Sequence, residues 1–207
     1  SILTKEQHKK KLNTENINRD NIFNIKDFEH DIPENNKKDF LKTCPNTKSE
    51  FILHTSGSSG IPKGYVHDSN SIFHVCKSYG EKILHLTKYD VIFSPSNMTF
   101  AYGLGNSLYL PLYYGATSIL SYNIDILDNL ETCKKNNPTI IFGIPYIYKE
   151  FIKIFENYFV PNLSSVRLFV SAAEKMDMIT QEKWYKYFNQ NIVESFGSTE
   201  LLHVYIS

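Results

Sequence analysis

Apolar and polar positions change rhythm at Phe51. Before it, lysine, asparagine and acidic side chains break every long apolar period, leaving only the islands Ile22-Phe23-Asn24-Ile25 and Phe40-Leu41. One edge strand and loops are expected there, and the stretch from Ile32 to Glu50, with Pro33 and Pro45, reads as an exposed connection. From Phe51 onward short apolar runs alternate with helical periods, the mark of βα units and a largely parallel sheet. Strands are predicted at Phe51 to His54, Val91 to Ser94, Thr117 to Leu120, Thr139 to Phe142, Val166 to Val170 and Ile192 to Glu194. Between them Ile72, Val75, Cys76, Tyr79 and Ile83 share a helical face, as do Ile126, Leu127, Leu130 and Cys133 before a stop at Pro138. A third helix, from about Tyr146 to Tyr158, turns Tyr148, Phe151, Ile152, Phe155 and Tyr158 inward. A fourth opens at Asp177 as N-cap and carries Trp184, Tyr187 and Phe188. The pattern predicts an α/β fold, a largely parallel β-sheet flanked by helices, with residues 51–207 as its core and 1–50 as a polar edge segment and connection. In such sheets ligands collect at the carboxyl ends of the strands.

Composition narrows the classes of function. The 207 residues balance 22 basic against 22 acidic side chains and are 42% hydrophobic. Zero formal net charge gives no electrostatic reason to expect a nucleic acid or an anionic membrane as the main partner, so any polyanion binding has to be local. No apolar run approaches the roughly 20 residues that a bilayer span needs, and the opening residues have no signal-peptide core, so a cytoplasmic protein is expected. Cys44, Cys76 and Cys133 are odd in number and widely spaced, which implies neither a disulfide framework nor a zinc cluster. His67 and His74 also lack ligand spacing and read as surface or satisfied core groups.

Directly after the strand at Phe51 to His54 stands Thr55-Ser56-Gly57-Ser58-Ser59-Gly60-Ile61-Pro62-Lys63-Gly64. Its glycines let backbone amides turn inward as an anion nest, its hydroxyls add donors, and Lys63 brings an ammonium to the far end. Those are the parts needed to hold a polyphosphate. It is not a Walker A loop, because Pro62 stands where that motif needs glycine before the lysine and Gly64 where it needs a magnesium-binding hydroxyl. The bland alternative is a flexible Ser/Gly linker. A linker is not expected to sit flush between a buried strand and a helix, or to end in Pro-Lys-Gly.

This loop resembles the phosphate-binding signature of the adenylate-forming superfamily, which comprises acyl-CoA and aryl-CoA synthetases, peptide-synthetase adenylation domains and luciferases. The superfamily's second signature, an aromatic and glycine followed by Thr-Glu, is matched by Phe196-Gly197-Ser198-Thr199-Glu200, in family order. The resemblance implies part of the large N-terminal domain of an enzyme that joins ATP and a carboxylic acid into an acyl-adenylate, then passes the acyl group to CoA as a thioester. It implies that Thr55, Ser56, Gly57, Ser58, Ser59, Gly60 and Lys63 cradle the β- and γ-phosphates. Thr199 would bond the α-phosphate and Glu200 would hold Mg²⁺, making Lys63, Thr199 and Glu200 the expected catalytic groups. Phe196, with Gly197 and Ser198 beside it, would cover one face of adenine, and the turn Ala172-Ala173-Glu174 the other. Ala173 replaces the family's usual glycine, which costs free energy if that backbone requires positive φ.

On the acyl side, Met98 to Asn106, Leu201-Leu202-His203 and Thr139 to Pro145 look most like benzoate-CoA ligases and related aryl-CoA synthetases. In that subfamily the equivalents of Ala101, Tyr102, Gly197, His203 and Val204 line a small flat pocket, and Phe100 adjoins them. Val204 stands where aryl ligases often carry a larger aliphatic residue. The implied partners are a small aryl acid and either CoA or the phosphopantetheine thiol of a carrier protein, with a homodimer left open. A nucleotide-binding module without catalysis is the alternative from another class. The resemblance weakens before Phe51 and stops just after Glu200. The superfamily's ribose-binding aspartate and C-terminal lysine have no counterpart here, so a fragment, inactive in isolation, is expected.

Overall fold

The computed structural model describes residues 2–4, 22–24, 50–55, 62–121 and 125–207. The chain divides into two units, Ser1–Thr47 and Lys48–Ser207. In the first, β1 (Ile2–Thr4) and β2 (Ile22–Asn24) pair in parallel, so the expected single strand at Ile22 has a partner. The expected connection over 32–49 lies outside the described residues.

The second unit opens with an antiparallel hairpin of β3 (Glu50–Thr55) and β4 (Lys63–Asp68), in register from Glu50 opposite Asp68 to Thr55 opposite Lys63. This corrects the sequence reading in two respects. The strand at Phe51 to His54 forms, but outside the parallel sheet, and the Ser/Gly-rich loop joins it to a second strand rather than to a helix. The physical reason is one-sided burial. Leu53 and His67 are buried while Ile52 and Val66 are more than half exposed, so these segments alternate in and out, unlike strands covered on both faces.

After the hairpin come α1 (Ser69–Val75), β5 (Val91–Phe93), α2 (Ala101–Leu104), α3 (Leu110–Tyr114), β6 (Thr117–Ile119) and α4 (Ile126–Asn136). They are followed by β7 (Ile140–Gly143), α5 (Pro145–Asn157), β8 (Leu168–Ser171), α6 (Met178–Phe188), β9 (Ile192–Glu194), β10 (Phe196–Gly197) and β11 (Val204–Ile206). The sheet is five-stranded and parallel, in the order β6-β5-β7-β8-β9. Strand order reverses between β5 and β7, and the crevice outside the carboxyl ends at such a reversal is where open α/β sheets take ligands. β10 and β11 form a separate antiparallel pair with a bulge between Phe196 and Gly197.

Alternation along the strands divides the core between the two faces of the sheet. Ile92, Ile140, Phe142 and Val170 join one cluster with Cys76, Tyr79, Leu84, Tyr109 and Leu110. Phe93, Ile141 and Phe169 point into the other, with Leu130, Phe151, Phe155 and Trp184. Trp184 is fully buried, with the rings of Tyr148, Phe169 and Phe188 all within 5.0 Å of it centroid to centroid. Cys76 and Cys133 are buried and unpaired, and burial pushes their thiols up to about 11 and about 12.

Helix ends follow local chemistry. Asp68, Asp125 and Asp177 cap α1, α4 and α6 by accepting from amides in the first turn, the last as expected from sequence. Asn137 and Asn189 close α4 and α6 in the left-handed conformation. Three predicted inward residues point outward instead, namely Ile83, Leu127 and Tyr158. Tyr158 lies at the cap of α5 with φ −134°, already off the helix. Ile83 is displaced because α1 continues as a π-helical turn over Cys76–Glu81, where the Leu84 amide bonds back to the Tyr79 carbonyl. The extra residue in that turn breaks the 3.6-residue period and puts Leu84, not Ile83, in the core. Leu127 sits in the first turn of α4, one position round from the buried stripe of Leu130 and Cys133.

Candidate active site

A cavity of about 150 Å³ opens at the carboxyl ends of the parallel strands. After β5 the chain supplies Phe100, Ala101 and Tyr102; after β8, Ala172 and Ala173; after β9, Gly197, Ser198 and Thr199; and from the return to β11, His203 and Val204. The six residues expected to form an acyl pocket therefore share one cavity with four expected on the nucleotide side. Tyr102 forms a rigid wall, its hydroxyl donating to the Gly143 carbonyl at the end of β7 (3.3 Å) and its ring meeting Phe142 edge-on.

His203 closes one end. It is buried among Tyr79, Tyr102 and Tyr109, with ring centroids 5.3, 5.6 and 6.0 Å away. Burial lowers its pKa to about 4, so the imidazole is neutral at pH 7. A contact with the Tyr102 backbone offsets part of that lowering without reaching full hydrogen-bond geometry. Two glycines make room for this residue. A Cβ on Gly105 would clash with Cδ2 and Nε2 of the His203 ring, and one on Gly197 would lie 2.6 Å from the His203 carbonyl oxygen.

The phosphate-side residues lie around this cavity. Thr55 and Lys63 face each other at the loop end of the β3–β4 hairpin, while Ser56, Gly57, Ser58, Ser59 and Gly60 lie outside the described residues. Thr199 borders the cavity and Glu200 is exposed beside it. The carboxyl of Glu200 is held below its usual value by its own backbone amide, then by the hydroxyls of Ser198 and Tyr65 and the charge of Lys63. Among the described residues no group of three or more His, Cys, Asp or Glu could hold a metal alone. One ionised carboxylate with a neighbouring hydroxyl fits Mg²⁺ carried in with phosphates. Phe196 and Glu174 are exposed and do not line the cavity; the Phe196 ring packs edge-on against Tyr205 at 5.5 Å.

Two residues here hold left-handed backbone. Ala173 has φ +75°, the conformation that its family-glycine position implied, and Leu202 has φ +69°. Each costs roughly 1–2 kcal/mol relative to right-handed backbone, and both border the cavity or its lining. Sequence reasoning read His67 as a surface or satisfied core group, put Tyr79 on a buried helical face and included Gly105 in the acyl-side segment, all of which agree with the structure. It gave no place to Tyr65 or Tyr109. Lys63, Tyr65 and His67 alternate along β4, a period-2 signal that a strand assignment there would have exposed.

A family profile described as "AMP-binding enzyme" matches residues 2–207. Benzoate–CoA ligase of Thauera aromatica is 35% identical over 160 residues, covering 76% of this chain and 30% of that protein. The 4-hydroxybenzoate–CoA/benzoate–CoA ligase of Rhodopseudomonas palustris is 32% identical over 158 residues, covering 76% of this chain and 29% of that protein. Among solved structures, the anthranilate CoA ligase AuaEII in complex with anthranoyl-AMP superposes with a TM-score of 0.70 at 28% identity, over 74% of this chain and 30% of that one. A benzoate CoA ligase from Burkholderia xenovorans LB400 gives 0.65 at 30% identity, over 78% and 32%. The chain thus spans about 30% of the length of the curated relatives it matches.

Proposed function

This chain belongs to the AMP-binding enzyme family, and on that premise we propose that its protein activates a small aromatic carboxylic acid with ATP and transfers the acyl group to the thiol of CoA. A carboxylate oxygen attacks the α-phosphorus, forming the acyl–phosphate bond as the bond to pyrophosphate breaks, and the thiol then displaces AMP. The cavity carries this reading. Its volume of about 150 Å³ is that of apolar cavities that admit a single benzene ring. Tyr102 offers that ring a flat wall, and Ala101 and Gly197 leave a slot beside it. His203, uncharged, closes the end without a buried cation, and the small Val204 leaves room for a ring substituent.

Thr199 links the two halves of the reaction, because it borders the acyl cavity while its neighbour Glu200 faces Lys63 and the loop-bearing hairpin. In this proposal Lys63 and the loop from Thr55 to Gly60 take the negative charge of the departing pyrophosphate, and the Thr199 hydroxyl donates to the α-phosphate. Bound through Glu200, Mg²⁺ supplies Lewis-acid neutralisation of the phosphate oxygens. Fixed cations and donors aimed at developing charge are the main source of rate in such a step.

Acid-dependent exchange of labelled pyrophosphate into ATP by the full-length protein tests the reaction, and release of ADP with no AMP would refute it. Benzoate and its small derivatives are expected to exceed decanoate in kcat/KM, and Tyr102→Ala is expected to narrow that gap. Selectivity among substituted benzoates should be modest, since an apolar pocket discriminates one methylene by only ~1–3 kcal/mol. Equal use of decanoate by wild type removes the aryl assignment and leaves adenylate formation standing.

A further inference from the structure

His67 lies on β4, on the same strand face as Lys63 and Tyr65. It is buried, its ring 5.6 Å from that of Phe51. Its Nε2 lies 2.7 Å from the backbone carbonyl oxygen of Thr199, on an element 132 residues away. A carbonyl only accepts, so Nε2 carries the proton and donates. The same oxygen accepts from the Leu202 amide at 3.1 Å, the bond that closes the turn holding Leu202 at φ +69° with its side chain fully buried. A strained turn persists only where its surroundings over-determine it.

We propose that His67 is a positioning residue: through its bond to the Thr199 carbonyl it pins the strained Thr199–Leu202 turn to the hairpin that bears the glycine-serine loop. The two segments that meet phosphate are thereby held at a fixed separation before any ligand arrives. Tyr65 and Lys63 extend the same rack toward the loop end of the hairpin, where the Tyr65 hydroxyl donates to the Glu200 carboxylate and has its own pKa raised by doing so. The kinetic consequence rests on the proposed reaction; the tether itself does not.

The test compares full-length wild type with His67→Phe, which keeps a ring against Phe51 but has no donor, and His67→Gln, which keeps a donor. Amide hydrogen exchange is read on the nucleotide-free protein. His67→Phe is expected to speed exchange at Leu202 and its neighbours by about tenfold, the worth of one net hydrogen bond, with residues 140–143 of the sheet unchanged. Adenylation kcat should fall on the order of 10²-fold, as for a small misplacement of reacting groups. His67→Gln should recover a substantial part of both. Wild-type exchange at Leu202 in His67→Phe, or no recovery of protection in His67→Gln, overturns the proposal. If no acid supports pyrophosphate exchange, the functional reading falls while the exchange data still decide the role of His67.

Discussion

Asp90, Thr139 and Arg167 each stand immediately before a strand of the parallel sheet, at the end away from the cavity. Arg167 donates from Nε to one Asp90 carboxylate oxygen (2.8 Å) and from Nη2 to the other (3.0 Å), while the Thr139 hydroxyl and the Thr87 amide add bonds at 2.7 and 2.9 Å. Burial by itself would raise the Asp90 carboxyl, but the bonds from Arg167, Thr139 and Thr87 outweigh it and hold the group below its usual range. Arg167→Ala is expected to destabilise the fold by about 3 kcal/mol, the low end for a broken buried pair, because the arginine side chain is 39% exposed. The sign with pH follows from the lowered folded pKa. The contribution is fully present above the unfolded aspartate value of about 3.9 and is lost as pH falls through the folded value beneath it. Urea unfolding of wild type and variant should therefore show a constant gap near neutrality and a shrinking one below about pH 4.

At the scale of elements, the two π-helical turns shape the site. The first, over Cys76–Glu81, buries Tyr79 against His203; the second, over Gly105–Tyr109, joins α2 to α3 and turns both Gly105 and Tyr109 toward the same ring. π-bulges recur at functional sites because the added residue re-aims side chains that an α-helix would place elsewhere. Gly105→Ala brings a methyl into overlap with the His203 ring, which Tyr79, Tyr102 and Tyr109 hold on other sides, so the ring can give way only toward the cavity it lines. The expected cost is about 1–3 kcal/mol of overpacking, with a raised KM for the aryl acid and a smaller change in KM for ATP. A thermal melt with steady-state kinetics on both substrates checks it, and an unchanged acid KM would mean that the His203 seat does not shape the acyl pocket.

Across the whole of the described residues, the charged groups assigned to phosphate are exposed, Lys63 at the loop end of β4 and Glu200 on a turn, while Ala101, Ala172, His203 and Val204 of the cavity wall are buried. Lys63→Ala and Glu200→Ala are therefore expected to depress adenylate formation by on the order of 10²–10³-fold each with little change in melting temperature, read by pyrophosphate exchange and calorimetry on the full-length protein. Much of this was legible in sequence for local reasons. Apolar runs located the five strands of the sheet and Asp177 marked the start of α6, because pattern and cap act over a few residues; the sequence raised positive φ at Ala173 only as a condition, and the structure met it. The two signatures, Thr55 to Gly64 and Phe196 to Glu200, carried the family resemblance the same way, and the family match bears that resemblance out. The antiparallel pairing of β3 with β4 was decided only in the tertiary structure, since an apolar run does not reveal its partner. So was the inward turn of Leu84 in place of Ile83, since one extra residue in a helical turn resets the period. The His203 box and the bond from His67 to Thr199 join segments more than 90 residues apart in sequence, and no local pattern encodes a contact that only packing brings about.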